Sequence, residues 1–236
     1  MARHQLPKPA MTVLTVGSLF SGIGGLDLGL ERAGMRVIWQ SEIDPYASRV
    51  LKKHWPDIPN LGNVKEITWH DVPRPDVICG GYPCQPFSYA GRRNAENDPR
   101  HLFPWVANAI RILRPRYAIL ENVAGHLTAG FGTVLGTLAQ VGYDARWDCV
   151  PAAAVGAPHY RDRVFIIAVD ANSNSELRRA KLPKPKRVTW ISEPDMGRMA
   201  NGVSHRLDRL RGLGNAVVPQ VAEYIGKMIV NDAKTE

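Results

Sequence analysis

An α/β fold, a parallel sheet with helices between its strands, is what the 236-residue sequence predicts, and three observations carry it. Short apolar runs of strand length alternate with stretches of helical periodicity along most of the chain. The first such pair is joined by a glycine-rich turn, Ser21-Gly22-Ile23-Gly24-Gly25. The second apolar run ends in acidic residues, where the second strand of a βαβ unit carries a group for ribose hydroxyls.

Composition sets the outer limits. The chain suits one sizeable core and is short for two full domains. Hydrophobic residues make up 44%, which fits a globular protein rather than a disordered or membrane one. No apolar run reaches the length of a spanning helix, and no continuous apolar block follows the first residues, so the expected compartment is the cytoplasm. Three cysteines, Cys79, Cys84 and Cys149, are too few for a disulfide framework and lack the paired spacing of a zinc site. A formal charge of +8 favours a polyanionic partner without identifying it.

Taken in order, residues 1–11 read as a tail and residues 13–20 as the first strand. After the glycine turn, Leu26, Leu30 and Ala33 recur at helical spacing up to Gly34. The turn lets a ligand approach the backbone closely, and the helix N-terminus offers unpaired N–H donors. Its spacing matches neither the phosphate-cradling motif nor the dinucleotide fingerprint. The second strand spans 35–40. Asp44, immediately before Pro45, caps a helix over 45–55, which leaves Glu42 free for a ligand. Residues 63–67 read as a short extended piece and 76–79 as a buried strand.

That strand runs into Gly80-Gly81-Tyr82-Pro83-Cys84-Gln85-Pro86. Taken alone, Cys84 reads as a small buried hydrophobe. Its place on a sharp turn between two prolines points instead to a presented thiol. Residues 92–100 form a polar loop, either a lid or a solvated connection. A helix over 102–113 leads to a strand at 117–120 that ends in Glu121-Asn122-Val123. With strand, helix and strand in a right-handed crossover, Cys84 and Glu121 share the rim that carries the glycine turn and Glu42.

A helix over 130–142 precedes strands at 144–150 and 164–169. Arg161 and Arg163 alternate along an extended chain, so they point to one face and can clamp a phosphate or a carbonyl. Residues 172–192 carry six basic residues, Arg178, Arg179, Lys181, Lys184, Lys186 and Arg187, and read as a flexible basic loop suited to a phosphate backbone, or as a solvated insertion. A last amphipathic helix ends near residue 230, with Val221, Ile225, Met228 and Ile229 on its core face.

Five segments in this order, Phe20-Ser21-Gly22-Ile23-Gly24-Gly25, Gly81-Tyr82-Pro83-Cys84-Gln85, Glu121-Asn122-Val123, Arg161-Asp162-Arg163 and Gly214-Asn215-Ala216-Val217, closely resemble the motifs of the DNA (cytosine-5)-methyltransferases. The resemblance covers residues 13–230 apart from 172–205. It implies a Rossmann-like methyltransferase fold, a mixed, mostly parallel sheet with helices on both faces. Residues 12–170 would be the catalytic and cofactor-binding domain, 171–205 a reduced target-recognition region and 206–231 a segment returning to the catalytic domain.

The chemistry implied is methyl transfer from S-adenosylmethionine to C5 of a cytosine flipped out of duplex DNA. Cys84 would add to C6, Glu121 would hold and protonate N3, and Arg161 and Arg163 would steady the base and the catalytic loop. The implied cofactor contacts are Phe20, Ser21, Gly22, Ile23, Gly24, Gly25, Glu42, Ile43, Asn63, Val64, Gly81, Pro83, Leu102, Asn215, Ala216 and Val217. The implied DNA contacts are Gln85, Ser88, Asn122, Arg178, Arg179, Lys184, Lys186 and Arg187. The partner would be double-stranded DNA, met by a monomer, and a cognate restriction endonuclease is a partner the resemblance allows.

Three departures stand out. Asn63 replaces an acidic residue, His159 stands where Gln is common, and the recognition region is unusually small. Two other readings stay open: a transfer-RNA cytosine-5 methyltransferase of similar fold, whose expected Cys-Phe-Thr triplet is absent, and a DNA-binding relative without catalysis.

Overall fold

Continuous apolar runs such as Tyr117-Ala118-Ile119-Leu120 belong to strands covered on both faces, and the structure arranges them so. The computed structural model describes residues 13–83, 102–128, 130–157, 161–178 and 216–235. Its six strands are β1 (Thr15–Leu19), β2 (Arg36–Ser41), β3 (Val77–Gly81), β4 (Tyr117–Val123), β5 (Tyr143–Pro151) and β6 (Asp162–Asp170). They form one sheet in the order β2-β1-β3-β4-β6-β5. Pairs β1–β2, β1–β3 and β3–β4 are parallel, whereas β6 runs antiparallel to both β4 and β5. The sheet is thus mixed and mostly parallel.

Side chains alternate across it with the period of two that strands impose. Ile78, Ala118 and Leu120 face α3 (Phe103–Leu113) and α4 (Phe131–Gln140), in a core that includes Ile110, Leu113 and Leu138. Val77, Cys79, Tyr117 and Ile119 face the opposite side, where Leu26 and Leu30 of α1 (Gly25–Arg32) meet Val221, Ile225 and Ile229 of α5 (Pro219–Ala233). A further helix, α2 (Pro45–His54), is capped by Asp44, whose carboxylate accepts from the N–H groups of Tyr46 and Ala47.

Helices α1 and α5 touch backbone to backbone at Gly29. A Cβ there would lie 2.3 Å from the Pro219 carbonyl oxygen and 2.4 Å from Ala222 Cβ. Gly29→Ala is therefore expected to destabilise the protein by about 1–3 kcal/mol, despite the ~1 kcal/mol that alanine normally gains inside a helix. Urea unfolding monitored by circular dichroism checks this; a variant as stable as the parent would mean that α5 slides freely on α1.

Two local expectations change. Residues 64–66 form a turn rather than an extended piece, because the Asn63 side-chain oxygen accepts from Lys65 N and its carbonyl accepts from Glu66 N. Residues 172–178 are not a free loop: Ser175 Oγ, Leu177 N and Tyr117 Oη all donate to the buried Asp232 carboxylate of α5. As expected, β4 ends in Glu121-Asn122-Val123.

Candidate active site

The topology decides what meets at the sheet's carboxyl rim. Parallel strands β1 to β4 all end there, and antiparallel β6 begins there, with Val123 paired to Arg163 and Gly81 paired to Glu121. A cleft of about 680 Å³ opens along this rim, within the usual size of small-molecule sites.

One end of the cleft is the glycine turn. Phe20 leaves β1 with φ of 50°, a left-handed conformation rare outside glycine and asparagine. Gly22 N donates to Glu42 Oε2 at 2.8 Å, while Glu42 Oε1 accepts from Ile43 N and Asp44 N at 2.9 and 2.8 Å. Glu42 is therefore not a free carboxylate, as its sequence position implied, but the clasp between the turn and the end of β2. Beside it Ile43 is 68% exposed, an apolar face on the cleft rim. Asn63 also lines the cleft, with its amide nitrogen donating to Glu66 Oε1.

Behind the turn lies Asp27, which sequence periodicity does not single out. It is fully buried in the first turn of α1, accepts from Gln40 Nε2 at 2.8 Å and Ser18 Oγ at 3.0 Å, and Ser18 in turn accepts from Ser21 Oγ at 2.9 Å. Burial pushes the Asp27 carboxyl up to about 6, with the Gln40 and Ser18 hydrogen bonds pulling the other way. A carboxyl that titrates higher folded than unfolded favours the folded state at acid pH, and that advantage is lost as pH rises through about 6. Cys79, buried in β3, has its thiol pushed well above the ordinary range by burial and stays neutral.

The other end of the cleft holds Glu121. It is 8% exposed, and Arg163 Nε sits 2.9 Å from its Oε1. Burial raises the Glu121 carboxyl above its ordinary range, while Arg163 and Arg161 oppose the shift. The end of β3 lies against this carboxyl: a Cβ on Gly81 would lie 2.8 Å from Glu121 Oε2, so a side chain there would shift the carboxylate. The next residue, Tyr82, is held by its carbonyl accepting from Asn122 Nδ2 at 3.1 Å. Pro83, adjacent to Cys84 in the chain, lines the same cleft. A buried carboxyl able to carry a proton, an arginine beside it and an apolar-rimmed glycine turn thus share one chamber, which suits proton transfer to a bound ring next to a nucleoside-sized ligand.

Residues 14–209 match the sequence profile of the family described as C-5 cytosine-specific DNA methylase. The chain belongs to that family. Among curated relatives, the Type II methyltransferase M1.ScrFI of Lactococcus lactis subsp. cremoris is 35% identical over 71% of this chain and 44% of its own length. M.NgoBI of Neisseria gonorrhoeae is 36% identical over 65% of this chain and 50% of its own. The chain thus spans about half, or less, of the curated relatives it matches. Among solved structures, a mutant of DNMT2 from Spodoptera frugiperda superposes with a TM-score of 0.64 at 25% identity, over 77% of this chain and 60% of that one. A putative DNA modification methyltransferase encoded within an Escherichia coli prophage gives 0.57 at 28% identity, over 69% and 48%.

In this family member, the cleft brings together most of the residues expected to hold the cofactor. Phe20, Ser21, Gly22, Ile23, Gly25, Glu42, Ile43, Asn63, Val64, Gly81, Pro83, Leu102, Ala216 and Val217 all line it, as do Glu121, Asn122 and Arg163. Three residues have other duties. Arg161 has φ of 38°, so it is not on an extended chain, and its Nη2 donates to the Ala216 carbonyl at 2.8 Å, tying the start of β6 to the returning C-terminal segment. The Asn122 amide is committed to Tyr82 and to its own neighbour's N–H, which makes it a brace for the exit of β3. Arg178 pairs with Asp144 at 2.6 Å and its carbonyl accepts from Arg146, so it belongs to the β5 edge rather than to a free basic surface.

Cys84, Gln85, Ser88, His159, Arg179, Lys184, Lys186, Arg187, Asn215 and the loop 92–100 lie outside the described residues. Of the wall residues that the sequence did not single out, Tyr46 and Ala47 come from the first turn of α2 behind the Asp44 cap. The cap itself was the signal, because a helix that begins at a strand's carboxyl end presents its first turn to the rim.

Proposed function

We propose that the protein is a DNA cytosine-5 methyltransferase that moves a methyl group from S-adenosylmethionine to C5 of a cytosine flipped out of duplex DNA. The observation that carries the reading is the buried Glu121 carboxyl beside Arg163, in a cleft that Pro83 also lines, with Cys84 the next residue in the sequence. Family membership supports it, as do relatives named as Type II methyltransferases.

The cleft fits the methyl donor. Its volume, the apolar rim at Ile43, and the carboxylate clasp at the glycine turn suit an adenosine carrying a positive charge. Phe20, Glu42, Ile43, Val64 and Val217 would hold it, and when bound it supplies a methyl group on an electrophilic sulfonium. Cytosine C5 is a weak nucleophile, so the chain's own groups must activate it. The Cys84 thiolate adds to C6, forming a C–S bond, as Glu121 delivers a proton to N3. Electron density displaced from the ring makes C5 nucleophilic enough to take the methyl group. Loss of the C5 proton to a base, elimination of the Cys84 thiolate and return of the N3 proton to Glu121 then restore the aromatic base. Arg163 holds the Glu121 carboxyl toward the cleft throughout, and Arg161 holds the C-terminal segment against it.

In this reading residues 12–170 and 206–231 form the catalytic unit, supported by the packing of α5 on α1, and 171–205 form a reduced recognition region. The protein acts as a monomer on double-stranded DNA in the bacterial cytoplasm, alongside a cognate restriction endonuclease where one is encoded. Tritiated methyl transfer from S-adenosylmethionine tests the reading: label is expected on duplex DNA. Label on transfer RNA and on no DNA tested would overturn it.

A further inference from the structure

Nucleophile and proton donor come from different strands, and one short segment ties the two together. β4 carries Glu121 and Asn122 near its end, and the chain then enters a 3-10 helix, Ala124–Thr128, that carries His126. β3 pairs with β4 as far as Gly81 opposite Glu121, where the ladder ends. Tyr82 is the next residue, two before Cys84 in the sequence.

Tyr82 is nevertheless buried and held on three sides. Its carbonyl accepts from Asn122 Nδ2 at 3.1 Å. Its ring lies 5.2 Å from that of Phe103, the first residue of α3, and 5.6 Å from that of His126, at 76° to it. His126 is itself only 1% exposed and meets the Phe131 ring of α4 edge to face at 5.7 Å, and Phe131 meets Trp147 of β5 at 5.3 Å. Edge-to-face ring pairs at such separations are attractive and set the tilt of each ring. Two of the three holds on Tyr82 thus come from the segment that begins with Glu121.

The two holds act on different torsions. A carbonyl held alone leaves the rest of the residue free to swing, whereas a carbonyl and a ring held together fix the peptide that leads into Pro83. The proline ring then sets its own φ. Tyr82 and Pro83 line the cleft, while His126 is not part of the wall that the described residues form.

We infer that His126 is a positioning residue for the reaction: by holding the Tyr82 ring it sets how far the chain reaches in presenting Cys84 to the base that Glu121 protonates. The inference rests on the reading of Cys84 as nucleophile and Glu121 as proton donor. It assigns the spacing between them to a side chain behind the cleft, supporting groups that do touch the substrate. Loss of the imidazole is therefore felt in the rate of covalent addition and not in the affinity for either ligand.

Trapping on duplex DNA that carries 5-fluorocytosine in place of cytosine tests it, with the whole chain and saturating S-adenosylmethionine. Affinities for S-adenosylmethionine and for unmodified duplex are measured alongside by calorimetry. His126→Ala is expected to slow formation of the denaturant-stable complex about tenfold, since slight misplacement of a reacting group is costly, with both affinities within about twofold of the parent. His126→Phe, which returns a ring to the space between Tyr82 and Phe131, is expected to recover the rate to within about threefold. Where the alanine variant fails to fold, His126→Leu, which keeps bulk without a ring, takes its place with the same expected slowing. Trapping as fast as in the parent, slowing matched by an equal loss of both affinities, or a phenylalanine variant as slow as the alanine one would each overturn the positioning role while leaving the active-site reading in place. Failure of the parent protein to trap the fluorinated DNA at all would remove that reading and the role of His126 with it.

Discussion

Glu121→Gln is expected to lower the rate of methyl transfer to duplex DNA by about two to four orders of magnitude, the usual range for a positioned proton donor. The substitution keeps the shape and removes the proton. The carboxyl is set apart from a surface glutamate by its burial between the ends of β3 and β4, which raises its pKa, while Arg163 keeps it oriented and partly offsets the rise. A carboxyl raised in this way keeps its proton to higher pH than an exposed one. Single-turnover rates of the parent protein should therefore fall as pH rises through the Glu121 ionisation, and the glutamine variant should lack that limb. A variant within tenfold of the parent would remove Glu121 from proton transfer.

Cys84→Ser is expected to abolish turnover while leaving DNA binding intact. A serine hydroxyl is almost wholly protonated at neutral pH and has far less nucleophilic character than a thiolate. Duplex DNA with 5-fluorocytosine in the target position provides a second readout. Fluorine cannot leave C5 as the proton does, so the C–S bond formed at C6 persists and a denaturant-stable complex accumulates with the parent protein but not with the serine variant. Cys79 cannot substitute, because it is buried in the sheet with its thiol held neutral. A serine variant that still methylates would take Cys84 out of the reaction.

Much of the fold was legible because its signals are local. The glycine turn, the Asp44 cap before Pro45 and the apolar runs of β3 and β4 each announce themselves within a few residues, and all lie where expected. What stayed hidden depends on partners far away in sequence. That β6 enters antiparallel between β4 and β5 cannot be read from its apolar run, yet this alone brings Arg163 to Glu121. Glu42 looked free because Asp44 takes the helix cap, whereas one of its oxygens accepts from Ile43 N and Asp44 N and the other from the N–H of Gly22, on the preceding βα turn. Asp27 falls within an amphipathic pattern where a carboxylate ordinarily faces solvent. Only the meeting of β1, β2 and α1 shows that it faces Ser18 and Gln40 instead. The Arg178 ion pair was missed for the same reason, whereas the Asn63 turn has partners close by and was missed because a side chain's own hydrogen bonds decide local shape.

The contact of α1 with α5 also fixes a schedule. Ala216 and Val217, which complete the cleft wall, are held there because Gly25 and Gly29 let the C-terminal segment lie directly on the first helix. A ribosome making this protein emits the glycine turn before β2 to β6, and α5 after them. The nascent chain therefore carries an unfinished cleft while these strands are made, and a ligand meets the complete wall only after residues 216–233 have left the exit tunnel and docked.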